Sequence, residues 1–427
     1  MTIPITTSRA PLLITLLCLA GLIAMSSGPL KAGELPSGPS AGDMDLSPFY
    51  RWDGDVPAAP GTVLRAEEVE PQADIPAAAH VRRLLYSAPD QRWDSGPVPV
   101  SATLFLPSAP APADGWPILA WAHGTLGIAD VCAPSWAGFK GRDAAYINRW
   151  LERGFVVVAT DYQGLGGPGP HPYSVWRAEG QSVLDSVRAA LALEPRRLGN
   201  RVVLAGQSQG GGAALGAAIL SQRQAPELNI LGAVITGPNS TFPDGPVALP
   251  PRRSMTMFLA FATGGLRPDG PSLEKILTPK GLALLRVARA GCTADIARKA
   301  RELGVASSEE LLTIPARELA ALRVPTTDMP QARLPFPVLI GTGQADRTIT
   351  PERQYAVAAA LCAAGNRIIW RLYPGLGHDG ALHGALDDAF RFVEARRAGE
   401  TPPANCDRLQ PPGPPGERDP DAPFNHD

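Results

Sequence analysis

Near the middle of the chain stands Gly206-Gln207-Ser208-Gln209-Gly210, the G-x-S-x-G spacing that can present a serine hydroxyl as a nucleophile. The residues before it, NRVVLAG, are apolar and β-branched in the manner of a buried strand, and those after it, GGGAALGAAILSQ, are small and helix-forming. Strand, sharp turn and helix would hold the Ser208 hydroxyl at the exposed apex of the turn, the glycines letting the backbone pass close to both elements. Such a hydroxyl attacks a carbonyl only when a base takes its proton, and the base must itself be oriented and its charge stabilised. In this setting the partners follow in the order serine, acid, histidine, each in a loop after a later strand.

His378, His383 and His426 are the histidines beyond Ser208. His378 sits in PGLGHDGA, a Gly-flanked loop directly after the strand pattern RIIWRLYP, and is taken as the base. His383 falls within or at the start of a helix pattern, and His426 lies in the Pro-rich terminal segment. Asp346, in GQADRTITP just past the strand pattern FPVLIGTG, is taken as the acid. Asp328 precedes that strand, and Asp379 adjoins the histidine too closely to turn back onto it. The competing role for Asp346 is that of a carboxylate at the N-terminus of a helix opening at Thr350-Pro351. Acyl transfer also needs donors aimed at the developing oxyanion, each contributing about 3 kcal/mol. One is the backbone N–H of Gln209, and the second is that of Gly124 or Thr125, in the loop after WPILAWAHG. His123 precedes Ser208 in the chain and reads as a structural residue of that loop.

To bring these loops to one end of a sheet the chain must alternate strands with helices. HVRRLLYSA and PVPVSATLFLP read as an antiparallel hairpin. WPILAWAHG (strand), GRDAAYINRWLERG (helix), FVVVATDYQGLG (strand), WRAEGQSVLDSVRAALAL (helix), the elbow and LNILGAVITGP (strand) then alternate. FPVLIGTG, QADRTITPERQYAVAAALCAAG, RIIWRLYP and ALHGALDDAFRFVEARR resume the pattern as strand, loop plus helix, strand and closing helix. The fold class is therefore α/β, a mostly parallel sheet with helices on both faces. Between them MTMFLAFATGGL, SLEKILTPKGLALLRVARAG and SSEELLTIPARELAALRV are helical patterns without a strand. Insertions at this point sit above the strand C-terminal ends, so residues 239–334 are read as a cap over the nucleophile, with MTMFLAFATGG lining an apolar pocket. The alternative is a helical subdomain that only buries surface. The expected organisation is a signal peptide at 1–32, an irregular arm at 33–79, a core at 80–238 and 335–400, the cap at 239–334 and an extended Pro-rich tail at 401–427.

With 427 residues, 44% of them apolar, and a formal net charge of −2, the composition is that of a soluble globular protein without the basic field a nucleic-acid partner would require. The start combines a cationic Arg9, the apolar run PLLITLLCLAGLIAM and small residues, the pattern of a secretory leader too short for a comfortable membrane span; an uncleaved anchor is the alternative. Cys18 follows Leu17, not the small residue a lipoprotein leader has. Cys132, Cys292, Cys362 and Cys406 remain, an even number that in an exported chain suggests two disulfides among three connectivities. No C-x-x-C spacing supports a metal site, and the chemistry needs neither metal nor cofactor.

The set AHGT with CAPS close behind, then TDYQGLG, GQSQGG, a long helical insertion, GQADRTITP and PGLGHDGA resembles the secretory lipase family of the α/β-hydrolase superfamily, the fungal lipase A type, from Val81 to Arg397. The resemblance implies an exported carboxylic ester hydrolase with a cap over an acyl-binding pocket. Small-molecule or lipid esters are the expected substrates, with transient contact with a lipid interface, and the chain is expected to be a monomer. Residue by residue, Ser208 matches the family nucleophile, Asp346 the acid and His378 the base. A family disulfide from the CAPS cysteine into the cap would pair Cys132 with Cys292, leaving Cys362 with Cys406. The fungal enzymes carry an aspartate in the oxyanion loop where this chain has Gly124-Thr125, which leaves the second donor between those two. An exported peptidase on the same fold would need a cap charge to hold a peptide terminus; Glu274, Glu302, Glu309 and Glu310 are available but at the spacing of solvated helix faces. A non-catalytic binding module would not need all three triad positions filled, as they are here.

Overall fold

The computed structural model describes residues 43–139, 141–247, 271–315 and 326–426, together with Met1, Glu318 and Leu322. The chain divides into two units, Met1–Leu35 and Pro36–Asp427, and the sheet with its helices belongs to the second. The expected leader, Cys18 and the segment MTMFLAFATGG lie outside the described residues. The chain enters a nine-stranded sheet through antiparallel strands β1 (Val63–Val69), β2 (Ala78–Pro89) and β3 (Pro97–Pro107). β1 lies inside the segment expected to be irregular. Its residues do not alternate cleanly between apolar and polar, and its pairing with β2 is reinforced by charge: Glu67 meets Arg83 at 2.9 Å and Glu68 meets Arg82 at 3.1 Å. An exposed edge of this kind leaves little apolar pattern to read.

Six parallel strands follow: β4 (Trp116–Ala122), β5 (Val156–Thr160), β6 (Leu198–Gln207), β7 (Ile230–Thr236), β8 (Val338–Gly343) and β9 (Ile368–Tyr373). β4, β5 and β8 are buried along their whole length, because helices cover both faces. The helices named among the described residues are α1 (Pro134–Ala137), α2 (Gly141–Leu151), α3 (Trp176–Leu193) and α4 (Gln209–Gln224), then α5 (Leu273–Ile276), α6 (Pro279–Ala288) and α7 (Thr293–Glu302), and finally α8 (Pro351–Ala363), α9 (Gly380–Gly384) and α10 (Leu386–Arg397). One core packs α3, α4 and α8 against the sheet through Val183, Leu184, Leu215 and Val357; the other packs α2 and α10 through Ile147, Trp150, Phe390 and Val393. The closing helix read as one from the sequence is divided at Ala385 into α9 and α10.

Strand order is β1-β2-β3-β5-β4-β6-β7-β8-β9. From β4 the chain moves to β5 on one side and returns to β6 on the other, so the loops after β4 and β6 open toward each other, the position where open α/β sheets form their crevices. Between β7 and β8 the described part of the insertion is helical: α5, α6 and α7, with a single 3-10 turn at Ser308–Leu311 where SSEELL suggested a longer helix. Proline at the first turn of α6 and the Thr278 hydroxyl, which accepts from Gly281 N at 3.2 Å, start that helix.

Two disulfides cross these elements. Cys132, beside α1, is bonded to Cys292 at the head of α7, and Cys362, in α8, to Cys406 in the tail.

Candidate active site

Ser208 is the single residue between the end of β6 and the start of α4. Its backbone has φ 62° and ψ −121°, a conformation a side chain rarely adopts and one that aims the hydroxyl away from both elements. The turn closes only because its flanks lack side chains: a Cβ on Gly206 would stand 2.0 Å from Gly210 O, and one on Gly210 would stand 1.9 Å from Ala122 O. Ser208 N donates to Thr236 O at 3.0 Å, and Asn239 N donates to Ser208 O at 3.0 Å, fixing the elbow to the end of β7.

Asp346 follows β8 and is fully buried. Its Oδ1 accepts from Thr348 N and Ile349 N, both at 2.8 Å, and its Oδ2 accepts from Gln354 Nε2 at 2.8 Å and His378 Nδ1 at 2.7 Å. The carboxylate therefore organises the turn into α8 with one oxygen and engages the imidazole with the other. Because the carboxylate accepts, Nδ1 of His378 carries the proton and Nε2 presents its lone pair. His378 is 6% exposed, and Gln207 Nε2 donates to its carbonyl at 3.2 Å, tying the histidine loop to the residue before Ser208. Ser208 and His378 line one cavity of about 350 Å³, with Tyr173 and Ile349 from the core, Asn239 at the start of the insertion and Ile296 from α7.

The rival residues engage other partners, although Asp379 also lines the cavity. Asp379 is ion-paired with Arg142, whose Nε also donates to Asp143 at 2.8 Å. Asp328 accepts from the Thr241 hydroxyl. His383 donates from Nε2 to Arg142 O at 3.0 Å and stacks on Phe424. His123 is fully buried, its Nδ1 on Gly124 O at 2.7 Å. The Gln209 N–H opens helix α4 and has no acceptor four residues back within that helix. Across the cavity the Thr125 hydroxyl is 2.9 Å from the Tyr173 hydroxyl, and Gly124 passes close under Gln207 and Arg142.

Beneath the elbow lies a polar cluster that no motif announces. The Gln209 side-chain amide donates to Glu179 Oε1 at 2.7 Å and to His171 Nε2 at 2.9 Å. His171 Nδ1 donates to Gln163 O at 2.9 Å. Burial pushes the Glu179 carboxyl up to about 8 and the His171 imidazole down to about 3, so this ring is neutral and accepts at Nε2. Among the described residues, no group of three or more His, Cys, Asp or Glu could hold a metal ion.

The profile of the secretory lipase family matches residues 139–404, more than half of the chain. This chain belongs to the secretory lipase family. The matched stretch holds Ser208, Asp346, His378 and the described helices of the insertion. It is 31% identical over 194 residues to a probable inactive lipase of Mycobacterium tuberculosis, covering 42% of each chain. It is also 29% identical over 185 residues to a secreted triacylglycerol lipase of Malassezia globosa, covering 39% of each. These matches span about two fifths of the curated relatives' length. Among solved structures, Candida antarctica lipase A in its closed state aligns with a TM-score of 0.64 at 22% identity, over 86% of this chain and 89% of that one. A rice cell-wall-degrading esterase of Xanthomonas oryzae aligns at 0.57 and 16% identity, over 82% and 100%. At these identities the likeness is one of fold, and the fold is that of the α/β-hydrolases.

Proposed function

We propose that this chain is an exported serine carboxylic ester hydrolase, a lipase or esterase acting on lipid or other apolar esters through an acyl-enzyme on Ser208. The observation that carries the reading is the 2.7 Å bond from His378 Nδ1 to buried Asp346, on an imidazole that lines the same cavity as a serine held at φ 62°. His378 Nε2 takes the proton as Ser208 Oγ attacks the ester carbonyl, and Asp346 stabilises the imidazolium. The oxyanion is met by Gln209 N–H and by Gly124 or Thr125. His378 then protonates the departing alcohol, and a water repeats the sequence to free the acid. Residues 239–334 act as the cap, and α7 closes one wall of the acyl pocket through Thr293, Ile296 and Ala297. Export is supported by the family and by the secreted Malassezia relative, and two disulfides suit an oxidising compartment. Residues 1–32 would be the cleaved leader.

A peptidase reading lacks its anchor. Glu302 is paired with Lys299 at 3.1 Å, Glu310 with Lys280 at 3.0 Å and Glu274 with Arg289 at 3.7 Å, and no cap carboxylate among the described residues lines the cavity. A panel of p-nitrophenyl esters and aminoacyl anilides tests the assignment. Ester turnover should be abolished in Ser208→Ala and the serine should be labelled by an organophosphonate; anilide turnover in place of ester turnover, or an active Ser208→Ala, would refute it.

A further inference from the structure

His378 must keep one nitrogen on Asp346 while the other faces Ser208, yet the loop that carries it, PGLGHDG, has three glycines and little stiffness of its own. Part of what fixes it is local: Gln344 N donates to Tyr373 O at 2.9 Å and Ala345 N to Leu376 O at 2.8 Å, joining the loops after β8 and β9. The rest comes from the C-terminal tail. Past the Cys362–Cys406 bridge the described tail residues form no strand or α-helix, but they do not leave the surface. Gly416 N donates to Gln344 O at 2.8 Å and Asp419 N to Gly375 O at 2.8 Å. Asn425 is 1% exposed. Its Oδ1 accepts from Gly377 N, the residue immediately before His378, at 2.6 Å. Its Nδ2 donates to Gly375 O at 2.9 Å and to Asp419 O at 2.5 Å. A Cβ on Gly380 would stand 2.3 Å from Asn425 Oδ1, so the loop is shaped around this one side chain. Phe424 stacks on His383 with ring centroids 4.4 Å apart, fastening the tail to α9 beyond the loop.

A buried amide is retained only where its donors and acceptor are met; here two of its three partners, Gly377 N and Gly375 O, belong to the backbone leading into His378, and the third, Asp419 O, belongs to the tail itself. We propose that the C-terminal tail is part of the catalytic apparatus: it bonds to the Asp346 loop through Gly416 and to the His378 loop through Asn425, which is a positioning residue for His378. This clamp rests on the reading of His378 as the base. The clamp acts on the orientation of the imidazole and leaves the acyl pocket untouched, so its loss belongs in kcat and not in KM.

The test compares the full chain, Asn425→Ala and a chain ending at Gly413, which keeps Cys406. Hydrolysis of p-nitrophenyl butyrate is followed below the melting temperature of each variant, and amide hydrogen exchange is followed across residues 374–380. Misplacing a base by this route should lower kcat about ten- to a hundredfold. KM should stay within about twofold, and the Gly377 amide should exchange faster than in the parent. A folded Asn425→Ala with unchanged kcat would overturn the proposal, as would a loss of activity that only tracks the fraction unfolded. If neither variant folds, the parent decides: Gly377 should be protected as strongly as the amides of β9, and exchange as fast as in an open chain end would overturn the clamp. A parent without ester turnover would defeat the functional reading instead, and the exchange data would still judge the clamp.

Discussion

Glu179 is a side chain whose ionisation should be visible in the stability of the fold. It is buried below the nucleophile elbow, accepting from Ser174 N at 2.7 Å and from the Gln209 amide, and burial raises its carboxyl from 4.5 to about 8. Between those values the folded chain holds a proton on Glu179 that the unfolded chain has released, so this group's contribution to stability is fully present below about pH 4.5 and is lost as pH rises toward about 8. Glu179→Gln removes this term while keeping an acceptor for Gln209. The melting temperature of the variant relative to the parent should therefore climb steadily between about pH 5 and about pH 8, reaching the equivalent of a few kcal/mol, and then level off. A difference that stays flat over that range would show that Glu179 does not titrate as its burial requires. The meeting of Asp346 with His378 was legible in the sequence, where motif and chain order select the two together with Ser208. Glu179, His171 and Asn425 were not, because no motif or chain order marks their contacts, although Gln209 is only 30 residues from Glu179 and Asn425 is 48 from Gly377, separations like the 32 between Asp346 and His378. No local spacing encodes such contacts.

Among the described helices of the insertion, α7 is the one that reaches the site. Cys292 caps it, and Thr293, Ile296 and Ala297 present one helical face to the cavity. Ala297 is exposed at that face, so a large ring there should narrow the opening without disturbing a packed core. Ala297→Trp is expected to raise KM for p-nitrophenyl palmitate about tenfold while leaving the acetate ester within about twofold, a shift read from the chain-length profile. Equal changes for short and long esters would mean that α7 does not border the acyl chain. The strands and helices of the sheet were legible because buried parallel strands are apolar throughout and their helices keep a regular period. β1 escaped because its apolar residues, Val63, Leu64 and Val69, sit at its two ends without alternation and its middle carries Arg65, Glu67 and Glu68. The tail was read as an extended end because its prolines deny it regular structure; its attachment is made by single hydrogen bonds and one disulfide, which leave no periodic trace.

At the scale of the whole molecule, the two disulfides tie the sheet to different partners. Cys132–Cys292 closes 160 residues and joins the loop after β4 to the head of α7; Cys362–Cys406 closes 44 residues and joins α8 to the tail. Chain entropy alone assigns about 5 kcal/mol to the first and about 4 kcal/mol to the second, so replacing either pair with serine should lower the melting temperature by similar amounts. Their effects on catalysis should not be similar. Freeing Cys292 releases the helix that bears Thr293 and Ile296, so at a temperature where the chain remains folded the cost should appear as a raised KM for long-chain esters. Freeing Cys406 releases the anchor of the segment that places Asn425 on the His378 loop, so the cost should appear in kcat for short and long esters alike. Steady-state kinetics of the Cys132→Ser/Cys292→Ser and Cys362→Ser/Cys406→Ser proteins, taken at one temperature below both melting points, separate the two. If both pairs change the same kinetic constant, the bridges act only on global stability, and the division of the molecule into a substrate-facing cap and a histidine-positioning tail fails.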